Sequence, residues 1–123
     1  METTQVVNVK VSFIRPEYHN LQEWISNPNH IYIGRKGIVF VNNQRYPNHD
    51  SIWANPYKIG KNGTREDVLN QYELYIRNKL QNQPDLKEEL MKLKNKKLGC
   101  WCFPEPCHGD VLIRILHEIE NNI

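Results

Sequence analysis

The sequence predicts a single α/β domain, with a mixed or parallel sheet of about four strands flanked by helices. Three observations point there. Strand-like and helix-like segments interleave in the order β-α-β-β-loop-α-α-β-α, an order that favours some parallel pairing. The length, 123 residues, suits one domain able to bury a core. Hydrophobic residues make up 39% and charged residues 24%, a globular balance and not a disordered one. No internal repeat or linker divides residues 1–123.

The elements follow in order. From Val6 to Ile14, apolar Val7, Val9, Val11 and Phe13 alternate with Asn8, Lys10 and Ser12, the period-two pattern of a strand that Pro16 ends. Tyr18, Leu21, Trp24 and Ile25 recur at helical spacing and predict a short helix, broken at Pro28. "IYIG" and "GIVFV" read as the second and third strands. A long loop from Asn42 to Gly63 holds Pro47, Pro56, Gly60 and Gly63; loops of that length inside a domain are usually functional or disordered. Trp53 and Tyr57 argue that this one packs. Thr64 with Asp67 three places on forms a capping box, and Val68, Tyr72, Tyr75, Ile76 and Leu80 carry the helix forward. Pro84 breaks it, and Asp85 with Glu88 opens another helix with stripe Leu86, Leu90 and Leu93. "KLGCWC" is a short strand, and Leu112, Ile115, Leu116 and Ile119 mark a final helix.

Net charge is +2, too mild to argue nucleic-acid binding by itself. "KLKNKK", Lys92 to Lys97, reads as a solvated helix end whose lysines suit the negative pole, with nucleic-acid contact the minority option. The first residues show no basic stretch followed by a long apolar run, so no signal peptide is read. No apolar run approaches the roughly 18 residues of a membrane span. A cytoplasmic location is expected, where thiols stay reduced. His19, His30, His49 and His117 are scattered and read as surface residues.

All three cysteines fall in "GCWCFPEPCHGD", Gly99 to Asp110, with His108 directly after the third. An odd number cannot form a complete disulfide framework within one chain, which gives weight to metal binding or thiol chemistry. Cys100 and Cys102, two apart on a strand end, should share a side, with Trp101 turned to the core. Cys100, Cys102, Cys107 and His108 supply the donors of a Cys₃His zinc site, zinc being favoured over an iron–sulfur cluster. The nine-residue packing is tight, and adjacent Cys107 and His108 strain to reach one ion. The second reading is catalytic: Cys107 at a helix start feels the helix dipole, beside His108 and Asp110. The bland reading takes the cysteines as small buried hydrophobes. A nucleobase-deaminase reading fails, because no H-x-E precedes "PEPCHGD" and position 110 is not cysteine.

A second constellation is "YIGR" with "IWANPY". Gly34 and Arg35 follow a strand, and α/β sheets bind ligands beyond the carboxyl ends of their strands. Gly34 permits close backbone approach, and Arg35 can grip a phosphate or carboxylate through two parallel hydrogen bonds. Asn55, held extended before Pro56, can offer its amide to a ligand edge. The helix starts near Thr64 and His108 each present free N–H groups to an anion. Residue by residue the bland reading is stronger: Arg35 a surface charge, Trp53 core, Asn55 a turn cap.

"YIGR", "WANPY", "TREDVLNQY" and "LGCWCFPEPCHGDVL", in this order, resemble domain-of-unknown-function family 4326, found in bacteria, phages and large DNA viruses. The resemblance runs from about Ile31 to Leu116. Its matching positions include Gly34, Arg35, Trp53, Asn55, Pro56, Arg65, Tyr72, Cys100, Trp101, Cys102, Pro104 and Cys107 through Asp110. Ala54 stands where the family often has glycine, which narrows backbone approach there. The resemblance implies kinship without an established activity. By analogy its viral membership implies nucleotide or nucleic-acid metabolism, or host conflict, in a host cytoplasm.

The sequence thus leads us to expect one pocket lined by Gly34, Arg35, Trp53, Asn55, Arg65 and the Cys100-to-Asp110 turn. Arg35 and Arg65 would grip a phosphate-bearing small molecule, a nucleotide first of all, while Trp53 or Tyr57 supports a base. Cys107, His108 and Asp110 would either hold metal or do the chemistry. The rival is a non-enzymatic, metal-stabilised module that binds nucleic acid or protein.

Overall fold

The computed structural model describes residues 3–121, so the outermost residues of the expected 1–123 unit lie outside the described ones. The elements are β1 (Gln5–Asn8), α1 (Val11–Ile14), α2 (Leu21–Ile25), β2 (His30–Tyr32), β3 (Val39–Val41), β4 (Gln44–Tyr46), α3 (Arg65–Asn82), α4 (Pro84–Met91), β5 (Lys97–Cys100) and α5 (His108–Asn121). The fold is mixed α/β. Strands β1, β5 and β2 form a three-stranded sheet in that order, parallel throughout. β3 and β4 form a separate antiparallel pair, so the expected sheet of about four strands is a three-stranded sheet plus a hairpin.

The central strand is buried on both faces, and its sequence says how. Leu98 and Cys100 point into a core shared with Tyr72 and Ile76 of α3, Leu86 and Leu90 of α4, and Leu112, Ile115 and Leu116 of α5. Gly99 points the other way. A Cβ there would press into the Trp24 ring and Val9, so only glycine lets α2 lie this close to the sheet. That second face is a smaller cluster of Val9, Ile14, Leu21, Trp24 and Tyr32.

The first strand is shorter than its alternation predicts. β1 stops at Asn8 because its partner stops: Asn8 pairs with Cys100, the last residue of β5. Val9 N–H still reaches the Cys100 carbonyl, and then the Asn8 side chain turns the chain by accepting from Lys10 N–H at 2.9 Å. Val11 and Phe13, read as strand residues, sit in the helical turn α1 and are exposed.

The long loop also holds more order than expected. β4 lies inside it, and Asn42 and Asn43 make the hairpin turn with φ of 54° and 65°. Asparagine tolerates that left-handed conformation, which two-residue hairpins require.

The helices follow their signals. Thr64 and Asp67 close the capping box of α3 in both directions. Pro84 opens α4, where its missing N–H leaves no bond unmade. Glu73 of α3 binds Arg77 and also Arg114 of α5, and Arg77 reaches Glu118, which fastens the two long helices along their solvent side. His30 is not a surface histidine: it is buried, stacked on Trp24 with ring centroids 4.2 Å apart, and its Nδ1 meets the Trp24 carbonyl at 2.8 Å. No helix among the described residues is long and apolar enough to cross a membrane.

Candidate functional site

Because all three strands of the main sheet run parallel, their carboxyl ends share one edge. There β2 runs into Ile33-Gly34-Arg35 and β5 into Trp101-Cys102, while α5 begins at His108. A cavity of about 420 Å³ opens at this edge. Gly34, Arg35, Asn55, Arg65, Cys100, Cys102, Cys107 and His108 all line it. Tyr57 and Lys58 add polar groups to the lining, and Ile38, Ile59, Leu69 and Pro106 apolar ones.

Arg35 works as a clamp. Its Nε donates to the Asn55 carbonyl at 3.0 Å and its Nη2 to the Tyr57 carbonyl at 3.1 Å, which ties the 52–57 loop to the end of β2. Guanidinium has five N–H groups, so others stay available to a ligand. Arg65, first residue of α3, donates from Nη1 to the Pro106 carbonyl at 3.0 Å and so bridges to the cysteine turn. The two arginines, far apart in sequence, therefore share one concavity.

Asn55 is buried and fully engaged. Its Oδ1 accepts from Tyr57 N–H across Pro56 at 2.9 Å, while its amide reaches the Val68 carbonyl at 3.4 Å. Trp53 departs from the expected pocket lining. It lies in the core, 3% exposed, and its carbonyl accepts from the Tyr72 hydroxyl at 2.6 Å. Tyr57 takes the aromatic place in the wall.

Gly34 is glycine for a different reason from ligand approach. A Cβ would strike the Tyr32 ring, whose hydroxyl donates to the Arg35 carbonyl at 2.7 Å and accepts from Trp101 Nε1 at 2.9 Å. Trp101 is thereby half-buried at the cavity and not in the main core. Tyr32 is the organising residue that sequence reasoning passed over, although it stands two places before Gly34 in the quoted "YIGR".

His108 is held from two sides. Its ring meets Tyr72 edge-on, centroids 5.1 Å apart, and its Nε2 lies 2.6 Å from the Ile33 carbonyl. A carbonyl only accepts, so Nε2 carries the hydrogen and the neutral ring keeps a bare Nδ1. Burial pushes the imidazole below its ordinary pKa and favours that neutral form.

Cys107 and Asp110 build the start of α5. Cys107 Sγ accepts from Gly109 N–H at 3.3 Å, and Asp110 Oδ2 accepts from Cys107 N–H at 3.0 Å. The Asp110 bond is one half of a capping box, and the sulfur caps the N–H of Gly109 in place of that of Asp110. The expected catalytic carboxylate is thus a helix cap. Cys107, at the helix start, does not face solvent. Instead it is 2% exposed and Cys100 is 1% exposed, while Cys102, beyond the end of β5, is half-buried.

The two buried sulfurs touch: Cys100 Sγ and Cys107 Sγ are 3.2 Å apart. Cys107 donating to Cys100, helped by N–H groups of Cys102 and Phe103, brings the Cys100 thiol down to about 7 against the opposing effect of burial. The same bond, with burial, drives the Cys107 thiol upward, because its proton is the one being shared. The helix-start lowering expected at Cys107 therefore yields to the neighbouring sulfur, and Cys100 becomes the readier thiolate. Among the described residues, no three His, Cys, Asp or Glu side chains are grouped as a ready-made ligand set for an ion.

A model of the family described as Domain of unknown function (DUF4326) matches residues 17–118. The chain belongs to that family. DUF4326 thus takes in α2, which lies before the stretch from about Ile31 that carries the resemblance. Among its relatives, an uncharacterized protein of Acanthamoeba polyphaga mimivirus is 37% identical over 98 residues, covering 73% of this chain and 68% of its own. An uncharacterized 12.4 kDa protein from the nrdA-td intergenic region of Enterobacteria phage T4 is 30% identical over 70 residues, covering 56% of this chain and 63% of its own. No solved structure matches the chain. Every cavity-lining residue from Gly34 to His108 falls inside the DUF4326 match.

Proposed function

We propose that the cavity at the carboxyl edge of the sheet takes a phosphate-bearing small molecule of nucleotide size, and that the protein is an enzyme acting on it. One observation carries this reading: Arg35 and Arg65 line one cavity with Lys58, and the same cavity also holds apolar Ile38, Ile59 and Leu69. Cations and apolar side chains in one cavity suit a ligand with an anionic and a ring portion. A volume of about 420 Å³ falls within the usual range of small-ligand sites. The bare Nδ1 of His108 supplies a base at neutral pH, fixed in orientation by Ile33 and Tyr72.

The test is thermal melting against inorganic phosphate, nucleoside mono-, di- and triphosphates, and uncharged nucleosides. Phosphate-bearing ligands should raise the melting temperature and nucleosides should not. Lys58→Ala, an exposed position, combined with Arg65→Gln should weaken that rise by on the order of tenfold in apparent Kd. Equal shifts for nucleosides and nucleotides would replace the anion reading with an apolar one.

The rival reading, a metal-stabilised module that binds nucleic acid or protein, has one observation in its favour. Cys100, Cys102, Cys107 and His108 line the same cavity and are residue types that suit zinc before an iron–sulfur cluster, although among the described residues no three of them are grouped closely enough to hold an ion as they stand. His108 would have to bind through Nδ1, since Nε2 is engaged with Ile33.

A further inference from the structure

We infer that Cys100 and Cys107 are a redox-active dithiol, a site that a peroxide entering the cavity converts into an intramolecular disulfide. The inference stands apart from the phosphate reading and does not need it. Its basis is geometric. The two sulfurs lie 3.2 Å apart, seven positions apart in sequence, one ending β5 and the other opening α5. A disulfide needs them at about 2.05 Å, a closing movement of side chains and not of elements. Burial shields most thiols from reagents, but Cys100 and Cys107 both line the cavity, which brings a small oxidant to their side of the core. The third thiol, Cys102, lies outside the touching pair.

The step balances with a peroxide as oxidant. The Cys100 thiolate attacks one peroxide oxygen, the O–O bond breaks, and hydroxide or alkoxide leaves. Cys100 is then a sulfenic acid, oxidised by two electrons, and the peroxide is reduced by two. Cys107 sulfur attacks the Cys100 sulfur and its proton goes with the departing oxygen as water. The products are one disulfide and two molecules of water for hydrogen peroxide. Cys107 is suited to the resolving role because its sulfur already sits in contact with that of Cys100.

The experiment uses the full chain, reduced, exposed to hydrogen peroxide and then alkylated. Chymotrypsin cuts after Trp101 and separates Cys100 from Cys102 and Cys107. The expected result is a monomer lighter by two hydrogens, with only Cys102 alkylated, a crosslink between the two peptides, and full reversal by a dithiol reductant. Cys102→Ser should form the same bond, and its half-buried position leaves the core intact. Cys107→Ser should stall as a sulfenic acid on Cys100, trapped by dimedone. Cys100→Ser should lose its remaining thiols to peroxide on the order of tenfold more slowly. Oxygen addition without a crosslink in the wild type, a crosslink that requires Cys102, or intermolecular dimers as the main product would each overturn the inference.

Discussion

His108 Nε2 donates to the Ile33 carbonyl across 2.6 Å, joining the first residue of α5 to the end of β2. The bond fixes which nitrogen of the ring is bare, and it makes one edge of the cavity depend on a neutral histidine.

That dependence has a pH signature. Burial lowers the folded-state pKa of His108 below its ordinary 6.5. Between the lowered value and 6.5 the unfolded chain binds more protons than the folded one, so stability rises with pH there and falls on acidification. Melting temperature should therefore drop as pH falls below about 6.5, and His108 contributes no change above it. His108→Gln keeps an N–H donor for Ile33 but cannot titrate, and should flatten that part of the profile. A melt series from pH 5 to 7.5 on both proteins checks it, and an unaltered slope in the variant would assign the acid sensitivity elsewhere.

Gly34→Ala should destabilise by about 1–3 kcal/mol, the usual penalty of forcing a methyl into a filled space. The new Cβ meets the Tyr32 ring, which is anchored through its hydroxyl to Arg35 and Trp101 and cannot swing aside freely. Chemical denaturation measures the loss. A neutral result would mean that the ring relaxes and that Gly34 is free to face a ligand after all.

These residues also show what the sequence made readable. The capping box at Thr64, the stripe of α5 and the strand before the cysteines are local patterns, and each forms where its pattern lies. That Arg35 and the cysteine turn share one cavity was readable in outline, because parallel strands deliver their carboxyl ends to one edge; Arg65 joins them as the first residue of α3. What escaped was set by partners elsewhere in the chain. Val11 and Phe13 alternate like strand residues, but β5 ends at Cys100 and leaves them no ladder. Trp53 and Trp101 exchange their expected places, core for pocket, because Tyr32 offers Trp101 a hydroxyl at the cavity. Asp110 shares its motif with a cysteine and looks catalytic, yet three places after Cys107 is also where a capping box puts its acid. The Asn42-Asn43 turn was a legible hairpin signal within a stretch read as loop.

Arg35 has two duties that substitution can separate. Its hydrogen bonds to the Asn55 and Tyr57 carbonyls use the forked shape of guanidinium, whereas attraction for a phosphate needs only charge. Arg35→Lys should destabilise by about 1–3 kcal/mol through lost bonds while keeping part of the phosphate-induced rise in melting temperature. Arg35→Ala should lose both. Denaturation curves with and without phosphate report the two quantities together. Retention of the full phosphate effect by the alanine variant would remove Arg35 from the anion site and leave Arg65 and Lys58 to account for it.

Cys107→Ser distinguishes the sulfur pair from a metal centre. Serine is a favoured N-cap, so its hydroxyl can take over the bond from Gly109 N–H and α5 should still start at His108. What is lost is the packing and hydrogen bonding of one buried sulfur, for which about 1 kcal/mol is the common scale. The Cys100 thiol should respond more sharply to loss of the donor. Its pKa of about 7 owes most to Cys107 donating to it, so Cys107→Ala, which leaves no donor there, should move it back toward 9.0, and iodoacetamide alkylation of Cys100 at neutral pH should slow. Chelator should leave the melting of wild type and variant where it was. If zinc closes the cluster instead, its binding energy is folding energy: the variant should lose several kcal/mol, chelator should reproduce that loss in the wild type, and elemental analysis of protein purified without added metal should find close to one zinc per chain. The thiol-pair account does not survive that combination, because a sulfur bound to zinc has no proton to share and no lone thiolate to alkylate.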